Sequence, residues 1–93
     1  MSKSIISNER ACLVCGTPYN IHHHHIYYGT ANRKLSEKYG CWCYLCVKHH
    51  NMSNEGVHFN KELDSELKKY CQRTFERTRT REEFMRIFGR NYL

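Results

Sequence analysis

Ile21-His22-His23-His24-His25-Ile26-Tyr27-Tyr28-Gly29 and, further on, Cys46-Val47-Lys48-His49-His50-Asn51 bound the stretch whose reading decides this fold. His58 closes it, and all seven histidines of the chain lie inside it. Just upstream stands Cys12-Leu13-Val14-Cys15-Gly16. Thiolates and imidazoles in such spacing are the donors of metal sites. Two sites are expected, one structural and one catalytic.

Working outward, the 93 residues suit one domain. A chain this short buries a limited core and gains from a staple. Its six cysteines and seven histidines can supply a metal staple. No apolar run approaches the roughly 20 residues that span a bilayer. Residues 1–10 lack the apolar core of a signal peptide. A cytoplasmic setting is therefore expected, where C-x-x-C pairs serve as metal ligands or redox groups rather than disulfides. The formal charge of +6 and pI near 9.1 favour a polyanionic partner, DNA or RNA first.

Residues 1–10 read as a loose arm or an edge strand, and 11–93 as the domain. Ile21–Tyr28 has strand composition, and Cys41–Leu45 alternates as a second strand. Between them, Arg33–Tyr39 predicts a short helix with Ser36 as N-cap and Gly40 as stop. A helical turn is expected over Val47–Met52, broken by Ser53–Gly56. Residues 61–93 form a helical extension. Asn60 caps a helix of about 15 residues carrying Leu63, Leu67, Tyr70, Cys71 and Phe75. Thr80 and Glu83 form a capping-box pattern before a last helix that Gly89 ends. The class is α+β.

Cys12 and Cys15, on a knuckle turn that Gly16 completes, supply one pair of zinc ligands. The second pair is Cys46 and His49, or alternatively Cys43 and Cys46. The first is preferred, because Cys43 sits in a strand-like run that fits a knuckle turn poorly. Cys41, Cys43 and Cys71 then read as small buried apolar residues. A thiol redox role for Cys12-x-x-Cys15 is the competing use of that pair.

On a strand, His23 and His25 share one face and His22 and His24 the other. The run is internal and lies between strand-like residues, which argues against a purification tag. Cys12-x-x-Cys15, His24-His25-Ile26, Leu45-Cys46-x-x-His49-His50 and His58 together resemble the HNH (His-Me finger) endonucleases built on a treble-clef zinc framework. Within that family they are similar to the small phage and prophage recombination-enhancement nucleases. The resemblance covers about half of the chain. It implies a zinc-stapled ββα-metal domain with C-terminal helices that hydrolyses phosphodiester bonds in DNA. His25 would be the general base. His24, His50 and His58 would hold a catalytic Mg²⁺ or another divalent metal, beside the structural Zn²⁺ on Cys12, Cys15, Cys46 and His49. His22 and His23 would be bystanders. The family's middle asparagine has no counterpart at Cys41-Trp42-Cys43, and His58 lies further along than usual. The resemblance also implies a phage or host recombination or packaging protein as partner, in the host cytoplasm.

The basic residues of the C-terminal third and of the inter-strand loop are expected to grip phosphates, with Arg33, Lys34, Arg73 and Arg77 foremost. Taken singly, each arginine also reads as part of a solvated helix face. Tyr27, Tyr28 and Trp42 read as core or as stacking partners for bases. The competing reading of the whole chain is a zinc-binding module that contacts nucleic acid or protein without catalysis.

Overall fold

The computed structural model describes residues 3–51, 56 and 60–93. His58, Met52 and the Ser53-Asn54-Glu55 part of the expected helix break lie outside the described residues. The elements run β1 (Ile21–His25), α1 (Thr30–Tyr39), β2 (Trp42–Cys46), α2 (Val47–Asn51), α3 (Lys61–Phe75) and α4 (Arg81–Phe88). The class is α+β, as expected. The sheet has two antiparallel strands, with His24 opposite Cys43 and His25 opposite Trp42.

β1 stops at His25, three residues short of the expected end, because the chain turns inward there. Ile26 and Tyr27 are fully buried. The Tyr27 ring packs against Phe84, Phe88 and Tyr92, and its hydroxyl donates to the Lys68 carbonyl at 2.7 Å. Tyr27 and Trp42 are therefore core, while Tyr28 is exposed. Leu67, Cys71 and Phe75 of α3 and Phe84 and Phe88 of α4 complete this core beneath the sheet.

Ser36 does not cap α1. It is fully buried inside the helix, where its hydroxyl donates to the Tyr27 carbonyl at 2.7 Å and accepts from the Tyr27 amide at 3.2 Å. The helix begins earlier, at Thr30, after Gly29 with φ 99°. Ser36 thus ties α1 to the turn that leaves β1. Gly40 ends α1 with φ 73°, and a Cβ there would collide with the Lys3 carbonyl. That close approach accompanies a tethered N-terminal segment. The Ile5 amide donates to the Gly40 carbonyl at 2.9 Å, and buried Ser4 donates to the Trp42 carbonyl at 2.6 Å. Residues 3–8 therefore lie against the start of β2, neither loose nor in a strand.

The caps of the last two helices follow expectation. Asn60 Oδ1 accepts from the Leu63 amide at 3.0 Å, and Thr80 Oγ1 accepts from the Glu83 amide at 3.0 Å. The carboxylate of Glu83 pairs with Arg79.

Candidate metal centre and basic cleft

The knuckle forms as its composition requires. The Gly16 amide donates to the Cys12 carbonyl at 2.8 Å, and the Cys12 amide donates to the Thr17 carbonyl at 2.8 Å. Gly16 takes φ 80°. This turn brings both thiols toward the end of β2 and the start of α2. Cys12, Cys15, Cys46 and His49 converge there, with all four donor atoms within 4.8 Å of one another.

The separations can be tested against a tetrahedral ion. Bonds of about 2.3 Å to sulfur and about 2.0 Å to nitrogen place sulfurs about 3.8 Å apart and sulfur and nitrogen about 3.5 Å apart. Cys15 Sγ and Cys46 Sγ are 3.8 Å apart. His49 Nδ1 lies 3.7 Å from Cys12 Sγ and 3.3 Å from Cys46 Sγ. The four residues can hold a metal ion such as zinc. The Cys12 thiol is brought down to about 6. Burial opposes its thiolate, but the backbone amides of Cys46, Cys15 and Val14 point at the sulfur and prevail. Cys43 lies outside this group. It is buried in the core, and burial pushes its thiol up to about 12. Cys41 and Cys71 are buried core residues too, as expected.

Strand alternation sorts the four histidines. His22 and His24 face α2. The His50 ring stands 5.0 Å from that of His22 and 5.2 Å from that of His24. His22 Nδ1 and His50 Nδ1 are 2.9 Å apart. His22, expected to stand apart, thus touches His50. It shares the face of His24, and α2 follows β2 without a break, so His50 comes to rest over both.

His23 and His25 face the other way, toward Glu37 of α1. His25 Nε2 lies 2.9 Å from Glu37 Oε1, and His23 Nε2 lies 3.1 Å from the same oxygen. The His23 ring also stacks on Trp42, with centroids 4.0 Å apart. Burial holds the His23 pKa below the ordinary value, against the pull of the Glu37 charge. His23, also expected to stand apart, thus contacts Glu37 and Trp42 and lines the cleft described next. His23, His25 and Glu37 form the second of two described groups close enough to hold a metal ion.

At the end of β1 the two faces meet in one cleft of about 600 Å³. His24, His25 and His50 line it together with Tyr28, Arg33 and Lys34. Among the described residues no carboxylate lines it, so its charge favours an anion. Tyr28 is held there by Lys68, whose Nζ lies 4.3 Å from the ring centroid and pairs with Asp64 at 2.8 Å.

No protein-family model, curated protein or solved structure matches this chain.

Arg33 and Lys34 lie on α1 and line the cleft beside the histidines. Arg73 and Arg77 are exposed but do not line the cleft. Arg79 and Arg81 pair with Glu83 and Glu76. Glu37 is the residue that motif reading missed. Its only sequence signal is a carboxylate on the helix that joins two strands, one of which carries a His-x-His pair.

Proposed function

We propose that this chain is a metal-dependent endonuclease of the HNH type, with β1, β2 and α2 as its ββα-metal unit. The observation that carries the reading is the shared cleft. His23 and His25 from one face of β1 and His24 from the other meet His50 of α2 and two cations in a single anion-favouring depression.

His25 is the general base. Its Nε2 is engaged by Glu37 Oε1. A carboxylate only accepts, so Nε2 carries the proton and Nδ1 keeps the lone pair that takes a proton from water. Glu37 thereby does the orienting work of the family's asparagine. Arg33 and Lys34 hold the phosphates that flank the cut, contacts that carry little sequence information. Tyr28 offers an exposed ring for a base to stack on.

His24 and His50 would hold the divalent cation, Mg²⁺ or a substitute, that supplies charge stabilisation at the scissile phosphate and leaving oxygen. His22 adjoins this pair, and His58 is the further ligand expected from the motif. Neutral imidazoles suit Mn²⁺, Co²⁺ or Ni²⁺ better than Mg²⁺. Cys12, Cys15, Cys46 and His49 would hold a structural zinc that ties α2, and with it His50, to the sheet. Any recombination or packaging partner would supply the choice of DNA target, an expectation that rests on analogy. Cleavage of plasmid DNA by the wild-type chain and by His25→Ala tests the proposal.

A further inference from the structure

We propose that His23, His25 and Glu37 form an additional site for a borderline divalent cation such as zinc, and that filling it switches off the general base. The site itself stands on geometry. The switch rests on the nuclease reading above.

The three donors come from a strand and a helix that the core holds in place. Their ligand atoms lie within 4.8 Å of one another. The contacts of 2.9 and 3.1 Å to Glu37 Oε1 match the roughly 3.0–3.4 Å between neighbouring ligands bound at about 2.1 Å. Two further atoms bear on the assignment. His23 Nε2 is buried and meets Glu37 Oε1 at 3.1 Å without hydrogen-bond geometry, and Glu37 Oε2 is buried with no hydrogen-bond partner among the described residues. Buried polar atoms are normally satisfied, so an unmet donor or acceptor calls for a ligand. A cation among these three side chains satisfies His23 Nε2, and satisfies Glu37 Oε2 as well where the carboxylate binds through both oxygens. Stacking on Trp42 fixes the His23 ring beforehand, as supporting contacts do around metal ligands. A cavity of about 320 Å³, lined by His25, Arg33, Lys34 and Glu37, leaves an open coordination position. The two cations beside it suit a phosphate oxygen there. Two imidazoles and one carboxylate select zinc-like ions over Mg²⁺.

The switch follows from proton placement. In the cation-free site His25 carries its proton on Nε2 and is basic at Nδ1. A cation needs the Nε2 lone pair. The single proton of the neutral ring then moves, through solvent, to Nδ1. No proton is gained or lost, but Nδ1 can no longer accept one. Mg²⁺ leaves this site open and cleavage running, whereas zinc closes it.

Zinc titration of the full chain, with the structural site already loaded, tests this. The variants are His23→Ala and, as an independent probe, Glu37→Gln, each compared with its own rate in Mg²⁺ alone. Wild type is expected to take up one more zinc than either variant, by calorimetry and metal analysis. Co²⁺ should quench the fluorescence of Trp42, the chain's single tryptophan, more strongly in wild type than in Glu37→Gln. Measured against its own rate in Mg²⁺ alone, His23→Ala should need about tenfold or more zinc than wild type for the same fractional inhibition. Equal zinc uptake by wild type and both variants overturns the site. A lower zinc count with unchanged inhibition overturns the switch. A wild type that cleaves with no metal overturns the nuclease reading and the switch with it, while the zinc count still decides the site.

Discussion

The rings of His24 and His50 stand 5.2 Å apart at 69°, one carried by β1 and the other by α2. Nothing in their sequence separation requires this meeting. It arises because β2 pairs with β1 and runs directly into α2, whose first turn also supplies His49 to the four-residue metal centre. Adjacent histidines of one helix thus face two places, His49 the four-residue centre and His50 the cleft. On the reading proposed above, a metal on the first would hold the second in place.

The first prediction concerns that dependence. Cys12→Ser or Cys46→Ser should release the structural metal and unfold the domain, because metal affinity in small domains is folding free energy. Cys43→Ser should keep the metal and cost about 1–2 kcal/mol for a polar group in the core. Metal content and circular dichroism after chelation read both. Metal loss from Cys43→Ser alone would favour the alternative set with Cys43.

Gln72 is the second. It is fully buried, donates to Glu76 and Asn91 at 2.8 Å each, and accepts from the Tyr92 amide at 2.8 Å. It therefore pins the C-terminal tail, and with it the Tyr92 ring against Tyr27. Gln72→Leu should destabilise by about 2–3 kcal/mol and lower Tm by about 10 °C. Thermal unfolding measures this.

Acid stability follows from Glu76. The hydrogen bond from Arg81, then that from Gln72, holds its carboxyl below the ordinary range. A depressed folded pKa stabilises above the unfolded value of about 4.3 and loses that contribution as pH falls through the folded one. Arg81 is half-exposed and solvent screens the pair, which adds only about 0.5 kcal/mol. The Tm gap between wild type and Glu76→Gln should be full at neutral pH and close in strong acid. A gap that widens in acid would contradict this.

The positions of the cations separate two kinds of arginine. Replacing Arg33 and Lys34 together by alanine should reduce the salt dependence of DNA binding by about two phosphate contacts. Arg79→Ala, which breaks a 2.6 Å pair with Glu83, should leave that slope nearly unchanged. Binding isotherms at several salt concentrations distinguish them.

Much of this was legible in the chain. The C-x-x-C and C-x-x-H spacings identify the four-residue centre, because knuckle geometry is local. Asn60, Thr80 and Gly89 mark helix ends for the same reason. Strand alternation separates His23 and His25 from His22 and His24. What alternation does not convey is the identity of the neighbour on each face. Glu37 and His50 reach β1 through tertiary packing, so the partners of His22, His23 and His25 were not readable. Ser36 misleads for a related reason. It has the chemistry of a cap, but the buried Tyr27 backbone is its partner.

The most direct measurement is plasmid cleavage in Mn²⁺ or Mg²⁺ by wild type and by His25→Ala, each shown to be folded with its structural metal bound. The account predicts cleavage by wild type and a loss of about 10²–10⁴-fold in rate for the variant. Equal cleavage by both proteins, or none by wild type under any divalent metal, would contradict it.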